Sequence, residues 1–137
     1  MRVCIDTNAL VQLFGRNAAG RPIRDALLTG RIELAVSNEI LMQYEEAITL
    51  LSGRGRWQQV ERFLNLLFYL HANVLFIEPH FRFAVITADP DDNKFCDCAI
   101  AGEADYIITS DRHFDALIGA GYKTKPITPE AFIRQHL

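Results

Sequence analysis

Apolar and polar positions follow two different periods along the chain. Short apolar runs of three to five residues alternate with longer stretches in which apolar residues recur every three or four positions. The runs are typical of buried strands, and the longer stretches are typical of amphipathic helices. Because the two kinds of segment alternate, the pattern predicts βαβ units and a parallel sheet.

The pattern also predicts where each element lies. Strands are expected at residues 2–5, 33–36, 73–77, 106–109 and 125–127. Helices are expected at residues 9–14, 22–29, 38–51, 58–71, 92–103 and 113–120, with a last helix opening at Thr128-Pro129-Glu130. Ser37 and Thr128 are predicted N-caps, because their hydroxyls suit the first turn of a helix. Residues 15–20 are predicted to form a polar loop, and Gly53-Arg54-Gly55 a break between two helices.

Acidic residues follow two of the predicted strands. Asp6 comes directly after the first strand and Asp111 follows the fourth, while Asp89-Pro90-Asp91-Asp92-Asn93-Lys94-Phe95-Cys96-Asp97 lies between them. Ligands of open α/β sheets bind outside the carboxyl ends of the strands, so we expect these acids to share one pocket. Carboxylates crowded together raise one another's pKa unless a cation is present. The sequence therefore predicts an Mg²⁺ or Mn²⁺ site and metal-assisted phosphodiester chemistry.

Some of these acids also have a purely structural explanation. Asp6 is suited to cap the helix that follows it, and Asp92 is suited to a first helical turn, where the helix dipole favours an acid. Asp97 is harder to explain in this way, because it lies among apolar helix residues where a carboxylate needs a partner. Helix caps need not converge on one point, whereas the ligands of a metal ion must.

Length, composition and cysteine content favour one cytoplasmic domain. The chain has 137 residues, half of them hydrophobic, which is enough for one domain over residues 1–137 with its own core. It contains no apolar run of about 18 residues and begins with no signal peptide, so we expect no membrane segment. Cys4, Cys96 and Cys98 are expected to be packed thiols, because two of them face apart on one helix and no second ligand pair follows.

The positions of the charged residues along the chain say more about nucleic-acid binding than the net charge does. The net charge of −3 is not that of a typical nucleic-acid-binding protein. The acidic excess lies beyond Arg62, in the part that carries the predicted metal site, and bound cations would cancel some of it. Six arginines are candidates for contacts to a phosphate backbone, although a solvated surface residue is the simpler explanation for any one of them: Arg16, Arg21, Arg24, Arg31, Arg54 and Arg56.

The predicted helix at residues 58–71 is apolar over a wide stripe. Leu66, Phe68 and Tyr69 widen a stripe that already contains Val60, Phe63, Leu64, Leu67 and Leu70. Such a width indicates either a deeply buried helix or a surface for a second copy or another partner.

Several stretches of the chain resemble the PIN-domain family, and within it the single-domain ribonucleases of VapC type. They are Val3-Cys4-Ile5-Asp6-Thr7-Asn8, Val36-Ser37-Asn38-Glu39-Ile40-Leu41, and residues 89–95 together with 104–111. The resemblance spans nearly the whole chain. It implies a Rossmann-like α/β/α sandwich, PIN-like, with a central parallel sheet of about five strands. It further implies a Mg²⁺- or Mn²⁺-dependent endoribonuclease that acts on RNA as the toxin of a toxin–antitoxin pair, with an antitoxin partner and a homodimeric state.

The resemblance also assigns roles to residues. The catalytic and metal-binding acids match Asp6, Asp92, Asp97 and Asp111, and the residues that would orient ligands or water are Thr7, Asn8 and Ser110. One position departs from the pattern, because Gln43 stands where similar sequences carry a glutamate. Glu39 and Glu46 lie near the same helix face and are candidates to replace it. An amide holds a cation less firmly than a carboxylate, so Gln43→Glu is expected to tighten Mn²⁺ binding.

Other interpretations belong to different functional classes. A phosphoacceptor receiver domain would need an acidic pair after the first strand and an aspartate after the third, where Ile77-Glu78-Pro79 stands instead. A phosphatase of the haloacid-dehalogenase type would need a second aspartate within Asp6-Thr7-Asn8. The non-enzymatic alternative is a catalytically impaired PIN-like module that binds RNA or protein, which the missing charge at Gln43 favours.

Overall fold

A computed structural model describes residues 1–16 and 18–137, so one position of the predicted loop at residues 15–20 lies outside the described residues. Within the described part of the chain the strands form one parallel sheet in the order β3-β2-β1-β4-β5. The strands are β1 (Arg2–Ile5), β2 (Glu33–Val36), β3 (Val74–Phe76), β4 (Tyr106–Ile108) and β5 (Lys125–Ile127). The predicted α/β fold with a central five-stranded parallel sheet flanked by helices is confirmed.

Six α-helices accompany the sheet in the described residues. They are α1 (Thr7–Gln12), α2 (Arg21–Leu28), α3 (Asn38–Ser52), α4 (Arg54–His71), α5 (Asn93–Ala101) and α6 (Pro129–His136). Short 3₁₀ turns lie at Ala18–Gly20, Pro90–Asp92 and Arg112–Leu117. α3 packs against α1, α4 and α5, whereas α2 packs against α6. None of the helices found in residues 1–16 and 18–137 combines the length and the hydropathy needed to cross a bilayer.

Side-chain caps fix the starts of three helices. The Ser37 hydroxyl accepts a hydrogen bond from the Ile40 amide at 3.2 Å, and the Thr128 hydroxyl accepts one from the Ala131 amide at 3.2 Å. Both predicted caps are therefore confirmed, and Asp6 caps α1 in the same way.

Two predicted elements differ from the structure. α4 begins at Arg54 rather than residue 58, because Gly53 adopts a φ of 88° and turns the chain directly from α3 into α4. The predicted helix at residues 113–120 is instead the 3₁₀ turn Arg112–Leu117, which Asp111 caps. In both places the conformation of one residue, Gly53 or Asp111, sets where the helix begins or which kind of helix forms, and the hydrophobic pattern does not report that conformation.

The register of the two central strands positions the site. Ile5 of β1 lies opposite Ile108 of β4, so the two strands end level with each other. The next residues, Asp6 and Thr109, consequently emerge side by side at the carboxyl edge of the sheet. Val3, Cys4 and Ile5 of β1 are fully buried beneath this edge, and the three cysteines are free, buried thiols, as expected.

The wide apolar stripe of α4 is only partly used by the core. Val60, Phe63, Leu64 and Leu67 are buried, whereas Leu70 is exposed, as are the three residues that widen the stripe: Leu66, Phe68 and Tyr69. The interpretation of α4 as a deeply buried helix is therefore wrong.

Candidate active site

A hydrogen-bonded network joins the acids that follow β1 and β4. Asp6 is 6% exposed, and its Oδ1 accepts a hydrogen bond from the Ala9 amide at 2.8 Å. Its Oδ2 accepts a hydrogen bond from the Thr109 hydroxyl. The same Thr109 oxygen accepts a hydrogen bond from the Asp111 amide at 3.0 Å. Thr109 therefore holds the two strand-end aspartates in a fixed relation.

Asp92 at the start of α5 and His113 in the 3₁₀ turn after β4 extend this network. His113 Nδ1 lies 3.6 Å from Asp92 Oδ2 and 3.5 Å from Asp111 Oδ1. Asp92 Oδ2 is a buried oxygen with no hydrogen-bond partner in the described residues. Asp89, Asp92 and His113 each offer one metal-ligating atom, and these atoms lie within 4.8 Å of one another. An orphaned carboxylate oxygen beside nitrogen and oxygen donors is suited to a divalent cation.

The electrostatics of these acids point the same way. Burial raises the pKa of Asp6, and the charge of Asp111 adds to that rise, although the Thr109 and Ala9 hydrogen bonds oppose it. Burial also raises the pKa of Asp92, and the charges of Asp89 and Asp111 add to that rise, although His113 opposes it. Keeping these partly buried carboxylates ionised side by side is unfavourable in free energy, and a bound Mg²⁺ or Mn²⁺ would offset that unfavourable term.

Asp97 lies on another face of α5, in an adjoining pocket. Its Oδ1 accepts a hydrogen bond from the Phe83 amide at 3.0 Å. Burial raises the pKa of Asp97, the charge of Glu39 adds to the rise, and the Phe83 amide and Arg82 oppose it. The pocket has a volume of about 120 Å³ and is lined by Ser37, Glu39, Pro79, His80, Phe81, Arg82, Lys94 and Asp97. The structure thus links Asp6 to Asp111 through Thr109 and Asp111 to Asp92 through His113, and it groups Asp97 with Glu39 in a separate pocket.

Gln43 on α3 contacts a lysine of α5. Its Oε1 accepts a hydrogen bond from Lys94 Nζ at 3.1 Å. The next residue, Tyr44, donates a hydrogen bond to the Ile5 carbonyl, which anchors this part of α3 to the end of β1. Of the two glutamates predicted to replace a carboxylate at position 43, Glu39 lines the pocket of Asp97, whereas Glu46 lies on an outer surface of α3.

The remaining predicted residues lie around this edge. Thr7 is buried at the start of α1, and its hydroxyl has no hydrogen-bond partner among the described residues. Asn8 and Ser110 are exposed beside Asp6 and Asp111 in the chain. Their role in orienting ligands or water stays a prediction.

Three residues of the site were not singled out from the sequence. Thr109 has a local signal, because it is a hydroxyl at the end of an apolar strand and two residues before Asp111. Nothing in the sequence distinguishes His113 from a surface residue, and only the fold shows it between two aspartates. Lys94 lies within the acidic motif, but its contact with Gln43 spans 51 positions of the chain and leaves no local signal.

Comparison with known proteins agrees with this geometry. A family model described as PIN domain matches residues 2–113, a range that contains every residue of the networks above. The crystal structure of VapBC2 from Rickettsia felis bound to a DNA fragment from its promoter is similar, with a TM-score of 0.61, 14% identity and coverage of 93% of this chain and 98% of that chain. FitAcB from Neisseria gonorrhoeae is also similar, with a TM-score of 0.59, 16% identity and coverage of 93% and 97%. No curated protein matches the sequence. The chain belongs to the PIN-domain family.

Proposed function

We propose that the chain is a metal-dependent endoribonuclease that hydrolyses RNA phosphodiester bonds with Mg²⁺ or Mn²⁺. The observation that supports this proposal is the chain of contacts at the carboxyl edge of the sheet, in which Thr109 links Asp6 to Asp111 and His113 lies between Asp111 and Asp92. A buried oxygen of Asp92 has no hydrogen-bond partner among the described residues. Members of the PIN-domain family are generally nucleases. Oxygen donors of this kind are those that Mg²⁺ and Mn²⁺ prefer.

The residues divide the proposed work between them. Asp6, Asp92 and Asp111 would hold the ion, and Asp97 would complete the acidic set from the adjoining pocket. A bound divalent ion supplies a hydroxide near neutral pH and stabilises the charge that develops on the phosphate. Thr109 keeps the Asp6 carboxylate and the Asp111 backbone in place, and Thr7, Asn8 and Ser110 would orient water or ligands.

The proposal includes partners and a compartment. The resemblance to VapC-type ribonucleases suggests that the chain is the toxin of a toxin–antitoxin pair with an antitoxin partner, and the similarity to VapBC2 supports this. The exposed residues of α4 support a homodimer. The buried free thiols suit the cytoplasm, where such thiols stay reduced.

The second candidate function is a catalytically impaired PIN-like module that binds RNA or protein. The observation that favours it is that Gln43 carries no charge and that its amide oxygen is engaged by Lys94. Such a module would keep the fold and the pocket and would bind Mn²⁺ only weakly.

A cleavage assay separates the two candidates. The purified chain is incubated with a panel of labelled RNAs in Mg²⁺, Mn²⁺ or EDTA, beside Asp6→Ala and the matched control Asp25→Ala. Asp25 is an exposed acid on α2, outside both acidic groups. We expect cleavage that needs metal, falls by about a hundredfold or more in Asp6→Ala and is unchanged in Asp25→Ala. Cleavage that persists in Asp6→Ala, or no cleavage by the unaltered chain together with weak Mn²⁺ binding, would favour the impaired module.

A further inference from the structure

Lys94 is a cation next to the acidic residues of the site, in a pocket whose other basic residues are His80 and Arg82. It lies in the first turn of α5, between Asp92 and Asp97 in the chain, and it lines the pocket that contains Asp97 and Glu39. Its Nζ donates to the neutral amide oxygen of Gln43 at 3.1 Å. None of the ion pairs formed among the described residues involves Lys94.

A neutral partner leaves the charge of an ammonium group available. A carboxylate would neutralise Lys94, as Asp105 does for Lys123 at a distance of 3.2 Å. An amide oxygen uses one of the three N–H donors of the ammonium group and keeps its full charge. Gln43 therefore fixes the position of Lys94 beside the pocket of Asp97 and Glu39 without neutralising its positive charge.

The position of Lys94 in its helix is unfavourable for stability alone. The first turn of a helix is its positive end, and a lysine there opposes the helix dipole by a few tenths of a kcal/mol or more. Local rules of this kind are most often broken at functional sites. The same positive helix end that is unfavourable to a lysine is favourable to a bound phosphate, and it adds to the attraction that the lysine exerts.

The substrate of the proposed nuclease brings a charge that the acidic groups repel. An RNA strand that reaches Asp6, Asp92 and Asp111 carries phosphates on both sides of the bond to be cut, and a bound metal ion can attract only those close to it. A lysine on the wall of the cleft is suited to attract a neighbouring phosphate, because its ammonium group acts as a compact point charge.

We propose that Lys94 binds a phosphate of the RNA backbone at this site, and that Gln43 is the positioning residue that holds the ammonium group uncancelled. This inference rests on the proposed function, because it names a contact to the substrate of that activity. It assigns to Gln43 a role other than that of a missing metal ligand.

The salt dependence of RNA binding tests the proposal. Binding of a fluorescein-labelled single-stranded RNA is measured by anisotropy between 50 and about 300 mM KCl, in EDTA and again in Ca²⁺. The proteins are the unaltered chain, Lys94→Met, Lys94→Arg, Gln43→Glu and the matched control Lys123→Met, whose lysine pairs with Asp105 at the opposite end of β4. Each lost phosphate contact on a single strand reduces the slope of log K against log salt by about 0.7.

We expect Lys94→Met to lower that slope by about 0.7 and to weaken binding several-fold at low salt, while Lys94→Arg and Lys123→Met keep the slope of the unaltered chain. Gln43→Glu is expected to behave like Lys94→Met, because the new carboxylate neutralises the lysine. If Lys94 only joined α5 to α3, Lys94→Met would lower the melting temperature and leave the slope unchanged. Equal slopes for the unaltered chain, Lys94→Met and Lys123→Met would overturn this inference alone, whereas no RNA binding by the unaltered chain in either condition would overturn the proposed function as well.

Discussion

At the residue scale, Thr109 supports the site through a single hydroxyl group. That group donates to Asp6 and accepts from the Asp111 amide, and it is almost fully buried. Its removal leaves a buried carboxylate oxygen and a backbone N–H without their partner. Side chains that orient metal ligands in this way commonly contribute tenfold to a hundredfold to metal affinity.

We therefore expect Thr109→Val to weaken Mn²⁺ binding by at least about tenfold and to lower the free energy of unfolding by about 1–3 kcal/mol. Titration calorimetry and urea denaturation measure the two effects. Thr109→Ser keeps the hydroxyl and should restore both. The matched control is Thr124→Val, which loses a buried hydroxyl that donates to the Ala104 carbonyl at 2.6 Å, away from the acids. It should lose stability without losing Mn²⁺ affinity, and an equal loss of affinity in both variants would show that the effect at Thr109 is only structural.

The contact between Gln43 and Lys94 changes what a glutamate at position 43 should do. From the sequence, Gln43→Glu is expected to tighten Mn²⁺ binding, but in the structure the new carboxylate lies within reach of an ammonium group. We expect little change of Mn²⁺ affinity in Gln43→Glu alone and an increase of about tenfold when Lys94→Met is added, which corresponds to a coupling of about 1.4 kcal/mol. Calorimetry on the four proteins of this cycle measures the coupling. If Gln43→Glu raised Mn²⁺ affinity equally with and without Lys94→Met, Lys94 would not compete with the metal ion for the new carboxylate.

At the element scale, the features that could be predicted from the sequence are those set by residues close together in the chain. Ser37 and Thr128 were identified as caps because a cap is a relation between residues three apart. Asp97 was recognised as needing a partner, but that partner is the backbone amide of Phe83 in an irregular segment 14 positions away. The pairing of β1 with β4 joins residues more than a hundred positions apart, so the hydrophobic pattern indicates that both strands exist and not that Asp6 and Thr109 meet.

The end of α4 offers a test of backbone strain that is separate from function. Ala72 ends this helix in the left-handed region, with a φ of 50°, and its side chain is exposed. Glycine is the usual residue there, because a Cβ atom is unfavourable in this conformation. We expect Ala72→Gly to raise the free energy of unfolding by about 0.5–1 kcal/mol in urea denaturation. Ala47→Gly, inside α3, should lower it by about 1 kcal/mol. A loss of stability in both variants would mean that the strain at Ala72 is already relieved.

At the scale of the whole molecule, the exposed apolar residues of α4 are the best candidate for a contact between two copies. Phe68 of this surface packs against Phe76 of β3 with ring centroids 5.9 Å apart, so the surface continues from the helix onto the edge of the sheet. An unpaired edge strand promotes aggregation, and a second copy of the chain would cover both the edge of β3 and the exposed apolar residues of α4.

We expect the chain to be a dimer by light scattering at about 50 µM, a concentration at which a stable apolar interface of standard size is populated. Tyr69→Lys should convert it to a monomer that still unfolds in one cooperative transition, because Tyr69 is 87% exposed and contributes little to the fold of the single chain. The matched control is Leu50→Lys on α3, where the leucine is 83% exposed. A dimer that survives Tyr69→Lys, or one that Leu50→Lys dissociates, would place the contact elsewhere.

The acids of the site also set how stability should depend on pH and on metal. Burial raises the pKa of Asp6 above that of the unfolded chain, so the folded state binds more protons between the two pKa values. The contribution of Asp6 to stability is therefore greatest at low pH and is lost as the pH rises through the folded pKa. Asp105 has the opposite sign, because the Arg2 amide and Lys123 lower its pKa, so its contribution is present at neutral pH and is lost as the pH falls.

These signs predict opposite effects for two aspartate-to-asparagine changes. In EDTA at pH 7, Asp6→Asn should raise the melting temperature by a few degrees, since asparagine still caps α1 and no longer carries a buried charge, and the gain should shrink as the pH is lowered toward 4. Asp105→Asn should lower the melting temperature at pH 7. Mn²⁺ should stabilise the unaltered chain and Asp105→Asn but not Asp6→Asn, because Asp6 would be a ligand of the ion and Asp105 would not. Differential scanning calorimetry from pH 4 to 8, with and without Mn²⁺, measures all three effects. If Asp6→Asn were as destabilising as Asp105→Asn in EDTA, the charged carboxylate of Asp6 would itself stabilise the fold, and its burial would need no metal ion to account for it.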